Sequence, residues 1–166
     1  MKFEIFKFES VTSTNDIAIN LIKEKKKEVG CVYATTQTKG RGNKGKIWFS
    51  EIGNFFGSIF FPLKKNYPPF NEFSIINPVL VSQMIEKFCK KELITFKWPN
   101  DIFVNGKKIC GILQEVITFN SNNFLVIGVG INLISNPNIK ALYKTTNIFL
   151  ESNQKPTANE LIVLLI

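Results

Sequence analysis

The chain has 166 residues, 45% of them hydrophobic, and a formal net charge of +8 at pH 7. This length and apolar content suit one globular domain with its own core, and they exclude the disordered and fibrous classes. Histidine is absent from the sequence, which excludes Ser-His-Asp and Cys-His catalysis as well as zinc sites with histidine ligands.

The first part of the chain predicts three strands and one helix. Alternation over Lys2 to Phe8 predicts a strand that is buried on at least one face. Ser13 to Asp16 has the S-x-x-D form of a capping box, so we expect a helix that ends in the solvated lysine run 23–27. Val29 to Thr35 and Phe55 to Phe61 are predicted as the second and third strands, separated by a polar loop.

The middle of the chain predicts a linker, a long helix and a strand. Prolines 62, 68 and 69 mark the linker. The apolar positions from Phe73 to Leu93 predict a helix that is interrupted or restarted near Pro78. Thr95 to Trp98 is expected to form a strand that enters a turn at Pro99-Asn100-Asp101.

The last part of the chain contains the strongest hairpin signal. Asn105-Gly106 is predicted to join strands at 102–104 and 109–112. Phe124 to Leu133 is expected to be another strand, and the capping box Thr157 to Glu160 opens an apolar helix that reaches Ile166. Helices among hairpins predict an α+β, or mixed α/β, fold around a largely antiparallel sheet.

Signals for export or membrane insertion are not visible in the sequence. The residues from Met1 to Glu4 lack the apolar core of a signal peptide, and no apolar run approaches the ~18 residues of a membrane span. We therefore expect a cytoplasmic protein. The three cysteines, Cys31, Cys89 and Cys110, are widely spaced without a C-x-x-C pair, so we expect buried free thiols.

The loop from Thr38 to Lys46 is the first candidate site, because it holds three glycines and four cations in nine residues. Glycine lets backbone N–H groups approach a phosphate, and Arg41 could hold two oxygens at once. Arg41 is also the only arginine among 21 basic residues. These residues alone leave two interpretations open, an anion cradle and a solvated basic loop. The spacing of a Walker loop fails at every register.

Lys97 is a lysine in an apolar strand. If Phe96 and Trp98 face the core, alternation places Lys97 toward solvent or into a cleft. Gly128 and Gly130 also stand inside a predicted strand, where glycine indicates tight packing or the close approach of a ligand.

Five motifs occur in one order: Ser13-Thr14-Asn15, Gly40-Arg41-Gly42 followed by Trp48, Lys97-Trp98-Pro99-Asn100-Asp101, Gly111-Ile112-Leu113-Gln114-Glu115, and Gly128-Val129-Gly130-Ile131-Asn132. In order and spacing they resemble the biotin–protein ligase family, over residues 10 to 165. K-W-P-N-D followed by G-I-L-x-E is the most specific part. The resemblance implies that residues 1–166 form the catalytic domain, without an N-terminal DNA-binding domain or a C-terminal small β domain.

The resemblance also implies a fold and a reaction. The fold is related to class II aminoacyl-tRNA synthetases and lipoate ligases, with a mixed sheet flanked by helices. The enzyme would be an ATP-dependent, AMP-forming biotin-[acetyl-CoA-carboxylase] ligase. Biotin reacts with ATP to give biotinyl-5′-AMP, and a carrier lysine then displaces AMP. Mg²⁺ is expected with ATP, but the sequence assigns no ligands to it.

Residue roles follow from the matching motifs. Lys97 and Arg41 are the expected catalytic residues, with Lys97 on the acyl or phosphoryl oxygen and Arg41 joining the biotin carboxylate to the α-phosphate. The expected biotin contacts are Ser13, Thr14, Asn15, Gln37, Gly40, Arg41, Gly42, Asn43, Lys97 and Gly111. The expected ATP or adenylate contacts are Arg41, Asn43, Lys44, Trp48, Gly128, Gly130 and Asn132.

The chain departs from the family in its glycine loop, which usually carries further arginines. Asn43, Lys44 and Lys46 stand at those places. Lysine keeps the charge but loses the planar fork, and asparagine loses both. We therefore expect weaker retention of the adenylate.

The expected partner is the biotin carboxyl carrier domain of acetyl-CoA or propionyl-CoA carboxylase, and a homodimer stays open. Neither a nucleic acid nor a membrane is expected as a partner. Three alternatives stay open. A lipoate or octanoate transferase and a degenerate protein that binds biotin without full transfer share the fold. A basic nucleic-acid-binding module is the third alternative, and it rests only on the net charge.

Overall fold

Seven strands form one sheet in this structure, a computed structural model that describes residues 2–137 and 143–166. In chain order the strands are β1 (Glu4–Val11), β2 (Gly30–Gln37), β3 (Phe55–Pro62), β4 (Ile94–Lys97), β5 (Asp101–Val104), β6 (Lys107–Phe119) and β7 (Asn122–Ile131). Their order across the sheet is β1-β2-β3-β7-β6-β5-β4. β1 and β2 are parallel and the other neighbours are antiparallel, which confirms the prediction of a largely antiparallel sheet.

Helices cover both faces of the sheet. They are α1 (Thr14–Lys23), α2 (Phe73–Ile85), α3 (Ile148–Ser152) and α4 (Ala158–Leu165). Ala18 and Ile22 of α1 pack with Phe124 and Val126 of β7 on one face. The alternate residues of the same strand, such as Ile127, join α2 and α4 in the larger cluster on the other face. Burial on both faces explains why β3 and β7 are apolar almost throughout.

Helix α1 begins where the sequence predicts, but the capping box at Ser13 is wrong. Ser13 is the N-cap residue, yet its side chain makes no capping hydrogen bond. The backbone N–H of Thr14 donates instead to Gln37 Oε1 at 2.8 Å. A side chain from β2 therefore accepts a hydrogen bond from one of the free backbone N–H groups at the start of α1, a role that was expected of Ser13. The lysine run after α1 is mostly exposed, as predicted.

Two other element predictions need correction. Helix α2 continues through Pro78 without interruption and ends at Ile85, and a separate 3₁₀ turn forms at Lys91–Leu93. Strand β6 extends to Phe119, seven residues beyond the predicted hairpin strand, because β7 pairs with it from Cys110 onward. The short helix α3 was not predicted, although Asn147 caps it by accepting a hydrogen bond from the Leu150 N–H at 2.9 Å.

Phe96 in β4 and Trp98 just after it do not face the core, so the condition on which alternation would orient Lys97 is not met. Their exposed fractions are 51% and 75%. The strand is four residues long and lies at the edge of the sheet with β5 as its neighbour. Alternation therefore does not separate a buried from an exposed side at this edge.

The capping box of α4 is present as predicted, since Thr157 and Glu160 exchange hydrogen bonds. The three cysteines are free and buried, which confirms that prediction. Burial raises the pKa of Cys31 to about 12 and that of Cys89 to about 11. Among the described residues, no helix is both long and apolar enough to cross a membrane.

Asn54 provides a test of the packing at the end of β7. Its buried Oδ1 accepts hydrogen bonds from the backbone N–H groups of Leu133, Ile134 and Ser135. Asn54→Ala is expected to lower the free energy of unfolding by about 2–4 kcal/mol, because several backbone donors lose one shared acceptor. Urea denaturation measures this, with the exposed Asn20→Ala as the control. Equal midpoints for the two variants would contradict the prediction.

Candidate active site

A cleft of about 580 Å³ opens on the face of the sheet that α1 covers. Beneath α1 this face of β7 carries Phe124 and Val126, and further along it carries Gly128 and Gly130. The cleft therefore begins where the residues on this face of β7 change from apolar side chains to glycine. The cleft walls come from the start of α1, the loop after β2, the turn before β5, and residues 137–145 where described.

One end of the cleft is a network of neutral polar groups. Thr14 Oγ1 lies 3.1 Å from Gln37 Oε1 and 2.7 Å from Ser58 Oγ, and Ser58 Oγ lies 2.6 Å from Asn15 Oδ1. Each hydroxyl has one hydrogen to donate, so Ser58 donates to Asn15 and can accept from Thr14. Thr14, Asn15 and Ser58 are buried. This end can therefore align a small polar ring by hydrogen bonds.

Arg41 is held by two carboxylates beside this network. Its Nη1 and Nη2 donate to Glu115 Oε1 and Oε2 at 2.8 and 2.7 Å, and Nη2 lies 2.8 Å from Asp16 Oδ1. The hydrogen bond with Glu115 is the main cause of the raised pKa of Arg41. The predicted contact of Arg41 with a ligand carboxylate and phosphate stays a prediction, because its fork is directed to Glu115 here.

The Trp48 indole lies on the cross-strand pair Gly111 and Gly130. A Cβ at Gly111 would stand 2.6 Å from Trp48 Cζ3, and a Cβ at Gly130 would overlap the indole. Asn15 similarly occupies the space beside Gly128. The glycines in these strands thus make room for protein side chains, in addition to any room they leave for a ligand.

The other end of the cleft is cationic. Lys108 Nζ lies 2.7 Å from Asp101 Oδ1, and its side chain is only 16% exposed. Tyr143 donates from its hydroxyl to Asp101 Oδ2 at 3.2 Å, and burial followed by the Asp101 charge raises the pKa of Tyr143. Lys97 Nζ lies 4.2 Å from the centre of the Tyr143 ring. The ammonium groups of Lys97 and Lys108 therefore both lie at the Tyr143 ring.

Two donors in the cleft are buried without a partner among the described residues. They are Arg41 Nε and Trp48 Nε1. Both side chains line the cleft. A buried donor without an acceptor is costly, so the site favours a ligand with acceptor oxygens.

The structure brings the predicted site residues together, with one exception. The predicted residues that line the cleft are Ser13, Thr14, Asn15, Gln37, Arg41, Gly42, Asn43, Lys44, Trp48, Lys97, Gly111, Gly128, Gly130 and Asn132. Gly40 is a buried residue of the loop, where a Cβ would stand 2.8 Å from Ser50 Oγ. Its direct contact with a ligand stays a prediction, and its visible role is close packing.

Sequence reasoning missed three residues that line the cleft, Asp101, Lys108 and Tyr143, and the buried Ser58, which bonds to its polar end. Ser58 could have been found as a hydroxyl inside the apolar strand β3. Asp101 was inside a quoted motif without a role, and Lys108 stands three residues before the Gly111 motif. Tyr143 had no signal, because only the fold brings it to Asp101.

Carboxylates that could bind a metal are already paired in the cleft. Asp101 pairs with Lys108, and Glu115 and Asp16 pair with Arg41. Among the described residues, no group of three or more carboxylate or thiol side chains lies close enough to hold a metal ion. The donor set of the described residues therefore does not fit a protein-bound Mg²⁺.

Comparison with known proteins gives consistent matches. The model of the biotin/lipoate A/B protein ligase family matches residues 7–132. The bifunctional ligase/repressor BirA of Bacillus subtilis is 34% identical over 134 residues, which cover 77% of this chain and 40% of that protein. The chain thus spans about two fifths of the length of the curated relatives it matches.

Solved structures share the whole fold described above. The Leishmania major biotin protein ligase with biotinyl-5-AMP has a TM-score of 0.77 and 25% identity, over 99% of this chain and 72% of that one. The Aquifex aeolicus biotin protein ligase with biotin and ATP also has a TM-score of 0.77 and 25% identity, over 98% and 66%. The predicted fold class, a mixed sheet with flanking helices, is confirmed.

Gly130→Ala tests the position of Trp48. The new methyl group must displace the indole, so we expect a red-shifted emission with stronger acrylamide quenching and a cost of about 1–3 kcal/mol in stability. Trp48 and Trp98 are the two tryptophans, so fluorescence is measured in a Trp98→Phe background. Thr118→Ala, at the exposed end of β6, is the control. An emission spectrum unchanged by Gly130→Ala would contradict this position.

Proposed function

This chain belongs to the biotin/lipoate A/B protein ligase family, and from this membership we propose that it is a biotin–protein ligase. It activates biotin with ATP to biotinyl-5′-AMP and transfers biotin to a lysine of a carrier protein. The observation that supports this proposal best is the asymmetry of the cleft: neutral hydrogen-bonding groups at one end and cations at the other. Biotin has the same asymmetry, with a cyclic urea at one end and a carboxylate at the other.

The polar end favours biotin over lipoate or octanoate. Gln37, Thr14 and Asn15 line this end of the cleft and carry both donor and acceptor atoms, which suits the N–H and C=O groups of a urea ring. A dithiolane or an alkyl chain would bury these groups without forming a hydrogen bond. These groups already bond to one another or to Ser58, so an apolar ligand leaves them paired but forgoes the hydrogen bonds that a urea ring adds, and the site favours the urea.

The cationic end suits the chemistry of both steps. In the first step a carboxylate oxygen of biotin attacks the α-phosphorus of ATP, and the bond to pyrophosphate breaks. In the second, the lysine amine of the carrier attacks the acyl carbon, AMP leaves, and the nitrogen gives up one proton to solvent. Negative charge develops on phosphoryl and acyl oxygens, and positioned cations stabilise it. Lys97, Lys108, Lys44 and Lys46 all line the cleft.

Lys108 joins Lys97 as a candidate catalytic residue. Its side chain is the more buried of the two, and Asp101 holds its ammonium group in place. A positioned cation in a site with little water stabilises charge better than an exposed one. The indole of Trp48, 5.4 Å from Lys108 Nζ, would help to exclude water from the intermediate.

The carrier protein, the compartment and the extent of the enzyme are part of the same proposal. Residues 1–166 supply the catalytic domain, and the partner is a biotin carboxyl carrier domain of acetyl-CoA or propionyl-CoA carboxylase in the cytoplasm. The net charge of +8 would speed encounter with an acidic carrier surface. ATP would bring Mg²⁺ on its phosphates. A homodimer stays a prediction.

Replacing the two cleft lysines tests the proposal. Lys97→Ala and Lys108→Ala are each expected to slow ATP- and biotin-dependent pyrophosphate release by roughly 100- to 1000-fold, because each removes one cation from the developing charge. The control is Lys91→Ala, whose side chain is 82% exposed. Release is measured with and without the carrier domain, and with lipoate in place of biotin.

Each result of that experiment has one meaning. Pyrophosphate release that requires biotin, together with biotin labelling of the carrier, supports the proposed ligase activity. Release without labelling of the carrier would indicate a protein limited to adenylation. Release with lipoate alone would contradict the choice of biotin, and full activity of both variants would contradict the roles of the lysines.

Asn43 tests how firmly the adenylate is held. Asn43→Arg is expected to release biotinyl-5′-AMP roughly 10- to 100-fold more slowly than the natural chain, because it adds a charge-assisted hydrogen bond to the phosphate. Release is followed by trapping labelled adenylate after removal of free biotin. Asn43→Gln, which adds length without charge, is the control. Equal release from all three proteins would show that this position does not contact the adenylate.

A further inference from the structure

Glu115 connects three segments that are far apart in sequence. Its two carboxylate oxygens receive both Nη groups of Arg41, 74 residues away, at 2.8 and 2.7 Å. Its Oε2 also accepts from Asn15 Nδ2, 100 residues away, at 2.7 Å. One side chain of β6 is therefore bonded to both the cationic loop and the start of α1.

Arginine is required for this arrangement. Two parallel N–H donors match the two oxygens of a carboxylate, whereas a lysine ammonium group acts as a single point charge. The other basic residues of the chain are all lysine, including Lys44 and Lys46 of the same loop. The one arginine therefore stands where two parallel N–H donors are needed, and both donate to Glu115.

We propose that Glu115 is a positioning residue, which holds the loop 40–46 through Arg41 and orients Asn15 in the polar end of the cleft. Arg41 then acts on the loop rather than on the ligand. For a ligand its best remaining donor is the buried Nε–H, in place of the paired Nη groups. The phosphate and carboxylate would be neutralised by the lysines of the cleft. This role rests on the proposed function, since the loop cations serve that reaction.

Asp16 provides a matched control for the charge on Glu115. It also lies 2.8 Å from Arg41 Nη2, but through one oxygen and with a side chain 40% exposed, against 26% for Glu115. Exposed ion pairs contribute little to stability, and paired donors contribute more. Removing either charge leaves the same local net charge, so a difference between the two variants reports the contacts of Glu115 with Arg41 and Asn15 rather than the loss of one charge.

The position of the loop can be measured without activity. Trp48 stands two residues after the loop 40–46 and is the only tryptophan in a Trp98→Phe background. Glu115→Gln and Arg41→Lys are each expected to raise roughly tenfold the population in which the loop 40–46 is detached from β6, since each breaks one paired charge-assisted hydrogen bond. Acrylamide quenching of Trp48 should rise in both and stay unchanged in Asp16→Asn. Unchanged quenching in Glu115→Gln would overturn the proposal.

The kinetic test uses the same substitutions in the chain that retains Trp98. Glu115→Gln, Arg41→Lys and the double variant should each raise the KM for biotin by about tenfold with a smaller change in kcat, and the double variant should be no worse than either single one. Additive losses, or a fall in kcat confined to Arg41→Lys, would show that Arg41 contacts the reacting groups and would overturn the proposal. Absence of pyrophosphate release from the natural chain would contradict the proposed function, while quenching would still decide the role of Glu115.

Discussion

The cross-strand pair Gly111 and Gly130 removes side chains from the sheet just beyond the part that α1 covers. Because these two positions have no Cβ, the Trp48 indole can lie flat on the strands. The loop that ends at Trp48 is thereby brought over the sheet, with its cations at the cleft. Larger residues at this pair would fill the floor of the cleft and displace the loop, so the geometry of the whole site depends on the missing side chains.

The division of the cleft into a neutral and a cationic end follows from the elements that surround it. The neutral groups come from the start of α1 and from β2 and β3, which meet next to the helix-covered core. The cations come from the loop and from the far side, where Lys97 and Lys108 approach Tyr143. In a chain without histidine, lysine side chains supply the charge stabilisation of both steps, and the proton that the attacking carrier amine loses passes to solvent.

Local signals in the sequence predicted the elements well where a nearby pattern decides the structure. Asn105-Gly106 forms the predicted turn, and Thr157 with Glu160 forms the predicted capping box. Predictions failed where a distant segment decides it. Gln37 takes the place of a local cap at α1, β7 extends β6, and the edge position of β4 leaves Phe96 and Trp98 exposed. In each case the deciding neighbour is not adjacent in the chain.

The sequence by itself determined the family, since five motifs in order are local strings that need no coordinates, and nearly every residue named from them lines one cleft. Only the tertiary structure decided what those residues contact. It directs the Arg41 fork to Glu115, gives the space beside Gly130 to Trp48, and adds Lys108 with Asp101. The physical reason is that the partner of a charged group depends on strand register and helix placement. Residues 74 or 100 positions apart meet only after the whole sheet has formed.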